Sequence, residues 1–216
     1  MATSWTRQMW LAELWRFNTW LGFPILQWPT DLMVLQDIIV EQRPRVIVET
    51  GSFKGGSAVF FASMLKLTGG GGRVISIDWP GVPETVLEQV KNHEMGSVID
   101  FITGDSTAPE TIKQLKEMVG DEENVLVILD SDHSYAHVKK ELEIYRQFIP
   151  LEGYLVAGDT ICAELSKLEG YGQWRNDNPL RAVREFLLEH NSFVSDANRE
   201  KFLVTFFPEG YLKRVK

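Results

Sequence analysis

The chain has 216 residues, a formal charge of -8, and a composition that is 44% hydrophobic and 24% charged. That length carries one sizeable core and is short for two domains. The acidic balance excludes nucleic-acid binding through a general basic surface, because neutralising phosphates needs clustered Lys and Arg.

The first 30 residues hold Trp5, Trp10, Trp15, Trp20 and Trp28. Met9, Trp10, Glu13, Leu14 and Phe17 fall at helical spacing, so residues 5–20 read as an amphipathic helix. Arg7, Glu13 and Arg16 break its apolar run, which excludes a signal segment or a membrane span. These tryptophans cover either the sheet or a subunit interface of a homo-oligomer, or they wall a substrate pocket, with Trp28 as a contact. Thr30 or Asp31 is the expected cap of a helix running to Val40. Residues 1–43 thus read as a lid or interface segment and residues 44–216 as the ligand-binding domain.

From residue 45 onward strands and helices alternate. Strands are expected at Arg45–Glu49, Arg73–Asp78, Val98–Thr103, Asn124–Asp130 and Tyr154–Asp159, with two more at Phe193–Val194 and Phe202–Phe206. Helices are expected at Ser57–Leu67, Glu84–Lys91, Pro109–Val119, Ala136–Phe148 and Pro179–Glu189, and a loop at Gly170–Pro179. The pattern predicts an α/β, Rossmann-like doubly wound sheet, mostly parallel, with helices on both faces. The last two strands follow one another without a helix, so one of them should run antiparallel. The lone Cys162 forms no internal disulfide and fits a reducing cytoplasm.

The most informative run is RVIVETGSFKGGS, Arg45 to Ser57. A buried strand ends in a carboxylate and a glycine turn, and a helix starts directly after it. Glu49, Thr50, Gly51, Ser52, Gly55 and Ser57 form a cradle for a nucleotide-like ligand, with Ser57 as helix cap. The lettering departs from G-x-G-x-x-G, and Glu49 suits a cationic ligand, which favours S-adenosylmethionine over NAD. In open α/β sheets the ligand lies beyond the carboxyl ends of the strands. Five acids stand there: Glu49, Asp78, Asp105, Asp130 and Asp159. Asp78 suits ribose hydroxyls, and Asp105 with Ser106 suits adenine. Asp130 and Asp159 suit a hard cation such as Mg2+. His133, just beyond Asp130, is a candidate general base. His133 and His137 are spaced for paired metal ligation on one helix face. Trp174, Arg175 and Asn178 are candidates for the substrate pocket.

WLGFPILQWPTDL, VIVETGSFKGGSAVFFAS, ITGDS, LDSDHSYAHVKKELEIY, YLVAGDT and EKFLVTFFPEGYLKRV together resemble the cephalosporin hydroxylase family, from Trp20 to the C-terminus. The resemblance implies a class I S-adenosylmethionine-dependent methyltransferase with a seven-stranded sheet. It implies O-methyl transfer to a small-molecule hydroxyl, on a sugar or natural-product scaffold, often with magnesium. Related metal-dependent enzymes carry an Asp after strand four, matched by Asp130, and an acidic or amide pair after strand five. Here that pair reads Gly158-Asp159, so one ligand is missing. Competing readings are an NAD(P)-dependent oxidoreductase, a non-haem iron hydroxylase using Asp130, His133 and His137, and an accessory S-adenosylmethionine-binding subunit.

Overall fold

The computed structural model describes residues 2–216. The N-terminal segment is helix α1 (Ala2–Leu11), a 3-10 turn (Leu14–Phe17) and a small hairpin of β1 (Thr19–Trp20) and β2 (Phe23–Pro24). The single helix expected over residues 5–20 is therefore broken: Glu13 takes a left-handed conformation (φ 51) and the chain turns there. Helix α2 (Pro29–Gln42) follows. Its cap is Trp28 rather than Thr30 or Asp31, because Pro29 fits the first helical position, where no N–H is needed.

The remaining elements alternate: β3 (Val46–Thr50), α3 (Gly56–Leu67), β4 (Arg73–Asp78), α4 (Glu84–Lys91), β5 (Ile99–Thr103), α5 (Pro109–Val119), β6 (Val125–Leu129), α6 (Tyr135–Tyr145), β7 (Tyr154–Ala157), α7 (Cys162–Leu165), α8 (Pro179–Glu189), β8 (Phe193–Ser195) and β9 (Tyr211–Arg214). The seven strands order as β5-β4-β3-β6-β7-β9-β8. All pairs are parallel except those of β9, which runs antiparallel to both β7 and β8. The antiparallel strand is thus Tyr211–Arg214, and the expected strand at Phe202–Phe206 is a loop. Phe206 is buried there without pairing, and its N–H donates to Asp31 Oδ2 at 2.8 Å.

Side chains alternate across β6, so Leu126 and Ile128 join one core while Val125, Val127 and Leu129 join the other. Helices α2 and α3 cover the first face, with Leu35, Ile38, Val59 and Phe61 fully buried. Helices α5, α6 and α8 cover the second through Leu115, Leu142 and Phe186. The N-terminal segment is keyed to this frame at Gly56, where a Cβ would lie 2.1 Å from the Pro24 carbonyl oxygen. Gly56→Ala should therefore cost about 1–3 kcal/mol by overpacking. A fall in the urea midpoint is the expected observation, and an unchanged midpoint would contradict the contact. Among the described residues, no helix is long and apolar enough to cross a membrane.

Candidate active site

A cavity of about 950 Å³ opens over the carboxyl ends of β3 to β7. Gly51, Ser52, Ser57, Asp78, Asp105 and Ser106 line one part of it, and Asp130, His133, Asp159 and Trp174 another. The strand-end acids do converge, but not all of them face the cavity. Glu49 points inward and is 1% exposed. The Ser76 hydroxyl donates to its Oε2 at 2.5 Å, and Ser52 Oγ lies 2.6 Å from Ser76 Oγ. Burial raises Glu49 to about 7, against the hydrogen bonds of Ser57 and Ser76. Ser57 therefore braces Glu49 from within the first turn of α3, and the N-cap position falls to Gly55 (φ 74). Thr50 and Gly55 also sit behind the cavity wall, so Glu49, Thr50 and Gly55 support the glycine turn from beneath. Gly51 is required by chain packing, since a Cβ there would lie 2.1 Å from the backbone oxygen of Asp130.

A raised carboxyl means that folded Glu49 holds its proton more tightly than the unfolded chain does. Its stabilising contribution is complete below its ordinary 4.5 and is lost as pH rises through about 7. Glu49→Gln removes that loss. The melting temperature of the variant relative to wild type should rise between pH 5 and pH 8, and parallel melting curves would contradict the assignment.

Asp78, the last residue of β4, accepts the Phe53 N–H on Oδ2 at 2.8 Å while lining the cavity. Asp105 accepts from the Thr107 N–H (2.7 Å) and hydroxyl (2.8 Å), contacts that hold its carboxyl below the usual range. Ser106 and Ser131 both donate to Glu141 Oε1, at 2.6 and 2.8 Å. His137 Nε2 lies 3.0 Å from Ser106 Oγ and 3.2 Å from Ser131 Oγ, and the neighbouring Glu141 raises its pKa. His137 Nε2 is thus engaged by Ser106, Ser131 and Glu141, whereas His133 meets Asp159. Ser134 caps α6 between them, so the two imidazoles do not share a helix face, and the expected paired ligation is not formed.

Asp130 follows β6 directly, and Gln27 Nε2 donates to its Oδ2 at 2.5 Å. His133 Nε2 lies 3.3 Å from Asp159 Oδ2. Asp159 has a left-handed backbone (φ 48), a conformation Asp tolerates, which turns the chain sharply after β7. Withdrawal from water raises both carboxyls, and Asp130 is raised further by the charge of Asp159. Asp130, His133 and Asp159 each offer a ligand atom within 4.8 Å of the others. Two carboxylates forced together in a poorly solvated wall are the environment a divalent cation relieves, so these residues fit such an ion.

The aromatic half of the cavity was anticipated in part, by the N-terminal tryptophans as a candidate wall and by Trp174, while Tyr171 was missed. Trp10 and Trp15 stack (5.2 Å), Tyr171 stacks on Trp174 (5.4 Å), and Trp10 meets Trp174 edge-on (5.7 Å). All four line the cavity. Trp28, expected as a contact, stands one layer back, stacked on Phe206 at 5.0 Å. Asn178 does not line the cavity; it caps α8 by accepting from the Arg181 N–H at 2.9 Å. Arg175 likewise is not among the lining residues.

The family profile described as Rhamnosyl O-methyltransferase/CmcI matches residues 12–215. The chain belongs to that family. A rhamnosyl O-methyltransferase of Mycobacterium leprae is 31% identical over 206 residues, covering 93% of this chain and 85% of the relative. Its counterpart in Mycobacterium tuberculosis is 29% identical over 204 residues, covering 93% and 80%. Among solved structures, a CmcI complex with Mg and SAM is similar at TM-score 0.66 and 21% identity, covering 93% of this chain and 78% of that one. An O-methyltransferase from Bacillus cereus with SAH aligns at TM-score 0.60 and 16% identity, covering 100% and 90%. The fold is therefore that of the class I methyltransferases, and the activity is S-adenosylmethionine-dependent O-methyl transfer. That replaces the oxidoreductase reading.

Proposed function

We propose that this enzyme methylates a sugar hydroxyl of a small glycoside, with a divalent cation held by Asp130 and Asp159. The observation that carries the reading is the juxtaposition, in one cavity, of these two carboxylates with the aromatic wall of Trp10, Trp15, Tyr171 and Trp174. A pyranose presents apolar C–H faces to aromatic rings and hydroxyls to polar groups, and this cavity offers both. The relatives named rhamnosyl O-methyltransferases supply the sugar as acceptor class.

S-adenosylmethionine supplies an electrophilic methyl on sulfonium, transferred in line to the acceptor oxygen. The cation, for which Mg2+ is the reading, supplies charge stabilisation for the developing alkoxide. Asp78 holds the ribose, and Asp105 with the Ser106 region faces the adenine end. Gly51, Ser52 and Ser57 shape the turn between them. His133, oriented by Asp159 through Nε2, takes the hydroxyl proton on Nδ1. The aromatic wall orients the acceptor and excludes water, which is where the rate gain from alignment arises.

The buried free thiol of Cys162 agrees with a reducing cytoplasm. The exposed Leu11, Leu14, Phe17 and Leu21 of the N-terminal segment support self-association. The net charge and composition favour neither nucleic acid nor membrane as partner. The test is an acceptor panel of rhamnosides, other glycosides and catechols with S-adenosylmethionine, read by mass spectrometry. Methylation of glycosides is expected, and methylation confined to catechols would overturn the sugar assignment.

A further inference from the structure

We infer that Gln27, carried in by the N-terminal segment, is the oxygen ligand that completes the cation site of Asp130 and Asp159, in place of the side chain that Gly158 lacks. The inference rests on the cation-assisted reading above and assigns a donor that neither the family resemblance nor the strand-end pattern supplies.

Three observations converge on it. Gln27 lines the cavity and is only 6% exposed. Its Nε2 donates to Asp130 Oδ2 at 2.5 Å, so the nitrogen is the end of the amide turned to that oxygen. The other end, Oε1, is then buried with no hydrogen-bond partner among the described residues. A buried amide oxygen left unpaired is destabilising, so a site that keeps one has a use for it. Oxygen and nitrogen of one planar amide sit on the same carbon, which places Oε1 within about 5 Å of Asp130 Oδ2.

The second observation is at Gly158. A Cβ there would lie 2.3 Å from Asp130 Oδ1 and 3.1 Å from the Leu129 carbonyl oxygen. The Asp130 carboxylate occupies the space a side chain at 158 would need, so the end of β7 supplies only Asp159. The missing donor has to come from another element.

The third is that Gln27 is held rather than loose. Its carbonyl accepts from Asn18 Nδ2 at 3.0 Å, and the Ile25 N–H donates to the Asn18 carbonyl at 3.0 Å. Two residues before Ile25, Phe23 is buried, and the Pro24 carbonyl is packed against Gly56 at the start of α3. A neutral amide oxygen beside two carboxylates is a hard, all-oxygen donor set with room for water or substrate oxygen, which suits Mg2+ or Mn2+. The arrangement also makes the N-terminal segment part of the reacting centre.

The test is equilibrium binding of Mn2+ alone to the full chain, by calorimetry and by loss of the free-ion paramagnetic resonance signal. Asp159→Ala marks which binding event belongs to this site. Gln27→Ala should weaken that event about tenfold or more. Gln27→Glu, which keeps the shape and adds the missing charge, should bind Mn2+ at least as tightly as wild type and keeps the test valid if the alanine variant does not fold. Wild-type affinity in a folded Gln27→Ala, or loss of binding in a folded Gln27→Glu, would overturn the assignment. If wild type itself binds no Mn2+ at this site, the cation-assisted reading falls and this inference falls with it.

Discussion

Asp78→Ala should weaken S-adenosylmethionine binding about ten- to a hundredfold while leaving the fold intact. The carboxylate stands at the last position of β4 and lines the cavity, with one oxygen already fixed by the Phe53 N–H at 2.8 Å. Its orientation is therefore set before any ligand arrives. A charge-assisted hydrogen bond to a ribose hydroxyl contributes about 1.5–3 kcal/mol, and losing it corresponds to the stated range. The substitution also frees the Phe53 N–H in a turn with positive φ at Phe53 (47), so the loop that approaches the ligand loses its anchor. Calorimetric titration with S-adenosylmethionine and with S-adenosylhomocysteine reads the effect. Unchanged affinity for both would place the ribose elsewhere along the sheet edge.

His133→Ala should lower turnover about 10²–10⁴-fold with cofactor affinity unchanged. His133 lies in the turn between β6 and α6, with Nε2 3.3 Å from Asp159 Oδ2, so its ring is held beside Asp159 at the cavity wall. Asp78 at the end of β4 and Asp105 just after β5, proposed to hold the cofactor, lie on other strand ends, and removing the imidazole leaves them in place. A variant that loses cofactor binding together with turnover would mark His133 as part of the cofactor site rather than as the base.

Much of this was legible in the sequence for physical reasons. The continuous apolar run Val125–Leu129 announces a strand buried on both faces, and the acids following each strand announce the ligand edge of a parallel sheet. Charge at a strand end marks an edge, but it does not tell which way the side chain points. Glu49 is on β3 and turns inward to Ser76 and Ser57, whereas Asp78, at the end of the neighbouring strand, lines the cavity. The final strand was misplaced because Phe202–Phe206 is more apolar than Tyr211–Arg214. Phe206 and Phe207 find burial in a loop that lines the cavity, while Lys213 and Arg214 keep partial contact with solvent from within the sheet.

Gln27 carries no local signal at all. It reaches Asp130 across 103 positions of sequence, through a hairpin whose seat depends on the absence of a side chain at Gly56. Nor does spacing expose the Glu141 cluster: a glutamate on an amphipathic helix looks solvent-facing, yet this one is fully buried among Ser106, Ser131 and His137. The aromatic wall was half visible, since the tryptophan density of the N-terminal segment is evident but which rings reach the cavity is decided by the break at Glu13.

The most direct measurement of the account is transfer of an isotopically labelled methyl from S-adenosylmethionine to a rhamnoside, with product oxygen assigned by nuclear magnetic resonance. Label is expected in an O-methyl ether of the sugar ring, formed by wild type and nearly lost in His133→Ala. Label on carbon or nitrogen, or equal transfer by the variant, would contradict it.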